Sequence, residues 1–255
     1  MKVNLSEMTL KEVRAAGKIQ LVVLPWGSCE SHNLHLPYGC DTLTVSGLAE
    51  KAALLAAKKG ARVVVLPAMP VGVNSDLFGF PLVLHFSPCT QLAILRDIVW
   101  SLENHQIYKL LLLNGHGGNN FRALIKELYG QIRVHIFLCN WWQLVEKLVK
   151  KVCSDPGGEH GNEAETSWMM YLHPELVHLK WADAGQVRKA RLKSLRKGSI
   201  WTPRPWHVLT TNSGYGNPRL ASAEKGRQIV KYAVAEISEI IREIANARLD
   251  RNFPY

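Results

Sequence analysis

The stretch Ile19-Gln-Leu-Val-Val-Leu24, followed by Pro25-Trp-Gly-Ser-Cys-Glu-Ser-His-Asn-Leu-His-Leu-Pro-Tyr-Gly-Cys-Asp41, joins a short apolar run to a polar, glycine-containing segment. A nearly continuous apolar run with β-branched residues is typical of a strand buried on both faces of a parallel sheet. The polar segment then leaves the carboxyl end of that strand, which is where ligands bind in open α/β sheets. This stretch therefore predicts a sheet type and the position of a site.

The alternation of buried strands and helices continues along the chain. We predict further strands at 62–66, 109–113 and 134–139, and helices at 42–59, 90–106, 121–129, 163–171 and 222–248, with a short capped helix from Thr9. Such alternation predicts a parallel or mixed sheet covered by helices on both faces. We find no internal repeat or low-complexity linker, so we expect one domain over residues 1–255.

Composition excludes several classes of protein. The 255 residues are 47% hydrophobic and 20% charged, close to globular averages, which excludes a disordered or fibrous chain. Five cysteines at irregular spacing, without a CxxC pair, exclude a disulfide framework and a zinc ribbon. The N-terminus has no apolar secretory core, and the longest uncharged stretch, 77–95, contains two prolines. We therefore expect a cytoplasmic protein without a membrane span.

The net charge of +10 is concentrated in one segment, between Lys180 and Arg204, where only Asp183 opposes eight basic residues. A solvated surface is the first interpretation. The segment could instead approach a cleft and favour an anionic substrate. Without an aromatic ladder, an RNP-like motif or zinc-finger spacing, we do not expect nucleic acid as a partner.

The polar strand exits carry the candidate chemistry. The first exit holds Glu30, His32, His35 and Asp41 within twelve residues, and such side chains bind divalent metals. The exit after the third strand, Asn114-Gly-His-Gly-Gly-Asn119, lacks the Lys and Ser/Thr of a phosphate-binding loop. Its glycines let the backbone pass close to a site into which His116 would point.

A third polar segment, Gly158-Glu-His-Gly-Asn-Glu-Ala-Glu-Thr-Ser167, precedes an apolar helical run. Glu159 and His160 lie before the helix, where they can face a cleft. Glu163 could reach into the site from the first helical turn, whereas Glu165 is interpreted as part of a structural cap.

Together these segments resemble the creatininase (creatinine amidohydrolase) family. The first exit is similar to the family pattern G-S-x-E-x-H-G-x-H-L-P-x-x-x-D, the second is its N-G-H-G-G-N, and 159–167 resembles H-A-G-E-x-E-T-S. Gly79-Phe-Pro81 and Ser213-Gly-Tyr-Gly-Asn-Pro218 also match short family motifs in the same order.

The resemblance implies a three-layer α/β/α fold with a mostly parallel central sheet and a site for two divalent ions, Zn²⁺ or Mn²⁺, with Fe²⁺ as a further option. By motif, one ion is assigned to Glu30, Asp41 and His116, and the other to His32, Asp41 and Glu163. The resemblance also implies that His160 moves a proton, with Glu159 as a weaker candidate that orients it. A homo-oligomer, often a hexamer, is implied as well.

The departures from the family pattern shape the predicted activity. Asn33 replaces the glycine after the first histidine, and Gly118 stands where creatininase itself supplies a metal-binding glutamate. We therefore predict metal-dependent hydrolysis of a non-peptide C–N bond, in a cyclic amide or a formamide, rather than of creatinine specifically. The alternatives are a lactone or cyclic keto-sugar hydrolase on the same metals, and a non-catalytic basic protein that binds anions or nucleic acid.

Aromatic and sulfur side chains near the strand exits have two interpretations. Trp141 and Trp142 follow the fourth strand and could cover a substrate, or could pack in the core or an interface. Cys29 and Cys40 flank candidate ligands and could bind zinc. Because these positions vary in the family, we interpret both as small buried residues.

Overall fold

The structure, a computed structural model, describes residues 2–255. Within this range four strands form one parallel sheet in the order β2-β1-β3-β4. The strands are β1 (Leu21–Trp26), β2 (Val63–Val65), β3 (Lys109–Asn114) and β4 (His135–Asn140). All four predicted strands are confirmed to within a few residues, and every pairing in this sheet is parallel.

Helices cover both faces of the sheet. They are α1 (Leu10–Ala15), α2 (Cys40–Lys58), α3 (Pro88–Asn104), α4 (Phe121–Leu128), α5 (Trp141–Val152), α6 (Glu163–Leu172), α7 (Lys193–Arg196), α8 (Trp206–Leu209) and α9 (Ala223–Asn246). Single 3₁₀ turns span Leu5–Glu7, Ser75–Leu77, Pro174–Leu176, Leu179–Trp181 and Pro218–Leu220. The predicted cap at Thr9 is present, because Thr9 and Glu12 exchange side-chain-to-backbone hydrogen bonds. Helix α5 was not predicted from the sequence.

Successive residues of the central strands face opposite layers. In β1, Leu21 and Val23 pack against the layer that contains α2, α5, α6 and α9, whereas Val22 and Leu24 pack against the layer of α3 and α4. Each such side chain is almost fully buried, and burial of one contributes about 1.5–3 kcal/mol. The predicted three-layer α/β/α architecture is therefore confirmed. Within the described residues no helix is long and apolar enough to cross a bilayer.

The strand order places the predicted site. The chain leaves β1 towards β2 and leaves β3 towards β4, so a crevice opens between the carboxyl ends of β1 and β3. Asn114, the last residue of β3, donates hydrogen bonds from Nδ2 to the His116 carbonyl (3.0 Å) and to Asn140 Oδ1 (3.0 Å). Its Oδ1 accepts from the His116 amide. This amide side chain therefore fixes the turn that carries His116 at the edge of the sheet.

Candidate metal centre

Three buried side chains form the first ligand group: Glu30, Asp41 and His116. Their ligand atoms lie within 4.8 Å of one another. His116 Nδ1 is 2.9 Å from Glu30 Oε1 and 3.0 Å from Asp41 Oδ2. Glu30 comes from the exit of β1, His116 from the exit of β3, and Asp41 from the first turn of α2. Elements that are distant in sequence thus direct two carboxylates and one imidazole to one point.

The second ligand group lies beside the first and shares Asp41 with it. His32 Nε2 is 3.1 Å from Asp41 Oδ1 and 3.6 Å from Glu165 Oε1. The sulfur of Cys40 lies within 4.8 Å of these ligand atoms. Asp41 therefore presents one carboxylate oxygen to each group, which is the geometry of a residue that bridges two ions.

The ring nitrogens that face away from the cluster are held by backbone carbonyls. His32 Nδ1 lies 3.1 Å from the Glu30 carbonyl, and His116 Nε2 lies 3.1 Å from the Val73 carbonyl. Because a carbonyl oxygen only accepts, each far nitrogen can donate its proton there and leave the near nitrogen with a free lone pair. Histidines that bind metals are oriented in this way.

The charges of the cluster also fit divalent cations. Glu30 Oε2 is buried and has no hydrogen-bond partner among the described residues. Burial lowers the pKa of His32, but the charges of Glu165 and Asp41 outweigh that effect and raise the pKa to about 10. Burial also raises the pKa of Glu30. An excess of buried carboxylate is costly unless it is paired with cations or coordinates a metal, so the residues present suit metal ions.

The structure corrects the prediction for Glu163. Its carboxylate accepts hydrogen bonds from the Ser154 amide (3.1 Å) and the Asp155 amide (2.7 Å), and it pairs with Lys225 of α9. Although burial opposes ionisation, these contacts lower the pKa of Glu163. Glu163 therefore joins α6, α9 and the loop before α6, and it does not reach either ligand group.

Glu165 occupies the position that was predicted for Glu163. It lies in the same first turn of α6, two residues further on, and a separation of two places side chains on opposite sides of a helix. Its Oε2 accepts from the Gly161 amide at 2.5 Å, so the predicted capping role is also present. The sequence signal that could have identified Glu165 is the pair Glu163 and Glu165, because only one of the two side chains can face the ligand groups.

His160 packs on the second ligand group. Its ring stacks on His32 with centroids 4.1 Å apart, and its Nε2 donates to the Ser31 carbonyl at 2.7 Å. Burial and the charge of His32 lower the pKa of His160 to about 4. Glu159 lines the same cavity but pairs with Arg204, whereas the Ser31 carbonyl holds the His160 ring, so these contacts do not support the predicted role of Glu159.

Comparison with known proteins identifies the family. The family model described as creatinine amidohydrolase matches residues 6–241. The chain belongs to the creatininase family. Curated relatives of this creatininase-family chain are hydrolases, and the chain is an enzyme of that class.

Two curated relatives differ in the substrates that their names state. A 3-dehydro-scyllo-inosose hydrolase of Thermotoga maritima is 28% identical over 93% of this chain and 82% of its own length. A creatinine amidohydrolase of Pseudomonas putida is 27% identical over 94% of this chain and 96% of its own length.

Solved structures share the fold. A Bacteroides fragilis protein described as a candidate creatinine amidohydrolase has a TM-score of 0.91 at 39% identity, covering 98% of this chain and 99% of that one. A creatininase solved with Mn has a TM-score of 0.78 at 24% identity, covering 97% and 100% of the two chains. The creatininase fold thus extends over nearly the whole chain.

The departure of Asn33 from the family pattern and that of Gly118 from creatininase itself each have a structural reason. Asn33 adopts a φ of 55°, in the left-handed region that glycine and asparagine tolerate. Its Nδ2 also donates to Asp183 Oδ1 at 2.9 Å, a contact that glycine cannot make. Gly118 is needed for space, because an added Cβ would lie 2.4 Å from His116 Nε2 and 2.5 Å from the Val73 carbonyl.

A cavity of about 740 Å³ opens above the ligands. Its inner end is formed by Glu30, Asp41, His116 and Glu165, and its walls include five tryptophans: Trp141, Trp142, Trp168, Trp201 and Trp206. Trp141 is almost fully buried and packs edge-on against Trp168 at 4.8 Å, so it serves both interpretations, core and pocket wall.

The basic segment reaches this cavity only at its C-terminal end. Trp201, Pro203 and Arg204 form the outer rim, named from here the rim segment, and the buried ring of Trp206 lies under Arg204. Trp201 is 83% exposed, and Arg204 lies over the Trp206 ring at 5.0 Å while it pairs with Glu159. The remaining basic side chains of the segment are largely exposed, as a solvated surface predicts.

Proposed function

We propose that this chain is a metal-dependent hydrolase that cleaves the C–N bond of a small cyclic amide or formamide. The observation that carries the proposal is the pair of ligand groups that share Asp41 at the inner end of an aromatic cavity. Glu30, Asp41 and His116 would hold one divalent ion, and His32, Asp41 and Glu165 the other. Nitrogen and oxygen donors of this kind accept Zn²⁺, Mn²⁺ or Fe²⁺.

Two bound divalent ions would supply an activated water and polarise the substrate carbonyl oxygen. The protein contributes the dry, shaped pocket in which this happens. The tryptophan walls present flat apolar faces that suit a small ring. Because the ligands are almost completely buried, the ring must enter past the rim segment to reach them.

His160 would carry the proton to the departing nitrogen. Its Nε2–H is committed to the Ser31 carbonyl, so Nδ1 is the basic nitrogen. The lowered pKa keeps the ring neutral at pH 7 and thus able to accept a proton. General acid–base transfer of this kind contributes typically ~10²–10⁴-fold in rate.

Hydrolysis of a cyclic keto-sugar is the second candidate function. It is favoured by the inosose hydrolase relative, whose identity to this chain equals that of the creatinine amidohydrolase within one percentage point. The same ligands and pocket could serve either ring, since both reactions begin at a carbonyl carbon. At the rim, Glu159 already balances the charge of Arg204, so this ion pair adds no support for an anionic substrate, which stays a prediction.

We retain the prediction that the chain forms a homo-oligomer, a hexamer by resemblance. Leu82 and Trp201 are exposed by 86% and 83%, which provides apolar area for association. Light scattering at micromolar concentration should give a mass several times 28.6 kDa, and a monomer would contradict the prediction.

Metal analysis followed by a substrate screen tests the proposed activity. The purified protein, stripped and then reloaded with Zn²⁺ or Mn²⁺, should retain two ions per chain after dialysis. The loaded protein should hydrolyse one class in a panel of cyclic amides, formamides, lactones and keto-cyclitols, and the stripped protein should not. Turnover of the lactone or keto-cyclitol arm alone would favour the second candidate. A chain that retains no metal would overturn the proposal.

A further inference from the structure

Cys40 lies inside the second ligand group. Its sulfur and the ligand atoms of His32, Asp41 and Glu165 are all within 4.8 Å of one another, and its side chain is fully buried. Cys40 is the first residue of α2, directly before the shared Asp41. The start of this helix thus directs a sulfur and a carboxylate into the same cluster.

We propose that Cys40 is a fourth protein donor to the second ion and makes that position selective for a thiophilic metal such as Zn²⁺. The inference rests on the proposed metal site. The second group would then offer one nitrogen, two oxygens and one sulfur, a mixed donor set that suits zinc and leaves a fifth position for the water that the proposed function requires. The first group offers two oxygens and one nitrogen and accepts a harder ion. The two positions would therefore prefer different metals.

The charge of the centre supports a thiolate at this position. Glu30, Asp41 and Glu165 together contribute a charge of −3, and two divalent ions contribute +4. A Cys40 thiolate brings the protein contribution to −4, so the ligands alone balance the ions. Burial and the neighbouring carboxylates raise the pKa of the Cys40 thiol, so a thiolate would form there only where a bound cation takes the place of its proton.

Simple packing is the competing explanation, since Cys40 also belongs to the apolar core of the α2 layer. Cys139 provides the matched comparison. It is a buried thiol in the same core, yet it belongs to none of the possible ligand groups among the described residues. A serine at either position replaces sulfur with oxygen at similar size, but only the change at Cys40 would remove a soft donor.

Cobalt substitution distinguishes the two explanations without recourse to activity. The full chain, Cys40→Ser and Cys139→Ser are loaded with Co²⁺, and total cobalt and the near-ultraviolet sulfur-to-cobalt charge-transfer band are measured. We expect the band in the parent and in Cys139→Ser, and its loss in Cys40→Ser. In competition between Zn²⁺ and Mn²⁺, the preference of the second position for zinc should fall by ~10-fold or more in Cys40→Ser, the scale on which even supporting groups act.

The other outcomes decide against the inference. Two bound cobalt ions per chain without the band would leave the metal site intact and reduce Cys40 to packing. No bound cobalt would overturn both the metal site and the role of Cys40, and total metal separates these cases. If Cys40→Ser does not fold, the parent spectrum is measured on Cys29→Ser/Cys89→Ser, which lacks the accessible thiols. If the band disappears in that double variant, the sulfur donor is Cys29 or Cys89 and the inference about Cys40 is wrong.

Discussion

The two ligand groups share Asp41 but are built from different parts of the fold. Glu30 and His116 of the first group leave adjacent strands at the carboxyl edge of the sheet, so the sheet itself sets their separation. The second group depends on Glu165, which α6 brings in from more than 120 residues further along the chain. Its position relies on how α6 is rotated and anchored. The first group therefore follows from topology, and the second from helix packing.

The largest expected effect comes from the residue that joins the two groups. Asp41→Ala should remove both ions and abolish metal-dependent turnover, because one carboxylate oxygen faces each group. Metal content after dialysis is the measurement. Asp76→Ala, which changes another carboxylate of the cavity wall, is the control and should keep both ions. Full occupancy in Asp41→Ala would show that the groups are independent.

The proton carrier on the second group should have the next largest effect. His160→Ala should lower kcat by ~10²–10⁴-fold while both ions stay bound and KM changes little. His160→Gln keeps a donor for the Ser31 carbonyl but has no basic nitrogen, so it should be equally slow. Parental turnover in a folded variant with two ions would remove His160 from the mechanism.

Separate loss of each ion would sharpen the distinction between the groups. Glu165→Gln should weaken the second ion and Glu30→Gln the first, each by ~10–100-fold in dissociation constant. Titration of the metal-free protein with a divalent metal, monitored by calorimetry, resolves the two binding steps. If both variants weaken the same step, the division into two groups is wrong.

A substitution at Glu163 tests whether this carboxylate anchors α6 and takes no part in holding the ions. Glu163→Gln should keep both ions but lower the free energy of unfolding at pH 7 by about 1.5–3 kcal/mol, since it loses a charged hydrogen-bond network. The folded-state pKa of Glu163 is lowered, so this contribution is complete above the ordinary carboxyl value of about 4.3 and is lost as pH falls through the lowered pKa. The urea-unfolding free energies of parent and variant should therefore begin to converge below about pH 4 and approach each other further as pH falls. A constant difference down to pH 2 would contradict the assignment.

The smallest effect is expected at Asn33. Asn33→Gly keeps the left-handed backbone and loses the contacts with Asp183, at a cost of about 0.5–1.5 kcal/mol. Asn33→Ala should cost a further ~1–2 kcal/mol, because alanine is strained at positive φ. Both should keep the ions. Equal effects of the two substitutions on thermal unfolding would show that the backbone at this position is not strained.

The sequence predicted the features that follow from sheet topology better than those that follow from helix packing. Short apolar runs and the polar segments that follow them are local signals, and parallel strands bring those segments together. The sequence therefore predicted the strands and four of the ligand-group residues: Glu30, His32, Asp41 and His116.

The features that the sequence analysis did not predict depend on tertiary packing. The choice between Glu163 and Glu165 depends on the rotation of α6, which Lys225 of α9 helps to fix from a distance. Helix α5 was missed because Trp141 and Trp142 were considered only as substrate-covering or packing side chains after the strand, whereas they form its first turn. The proximity of Cys40 to Glu165 likewise cannot be derived from their separation in the sequence.

The rim segment has a consequence for how this protein can change over evolution. All proposed oxygen and nitrogen ligands come from residues 30–41, His116 and Glu165, whereas Trp201 and Arg204 lie on a separate surface stretch. Asn33 ties the basic segment to the ligand loop through Asp183, and Trp206, which lies under Arg204, packs against His160 with ring centroids 5.0 Å apart. Substitutions at Trp201 and Pro203 would therefore reshape the mouth of the cavity without touching a proposed ligand, whereas a change at Trp206 would also disturb His160. The exposed outer rim is thus the part of the chain where we expect the choice of substrate to change first while the proposed metal ligands stay the same.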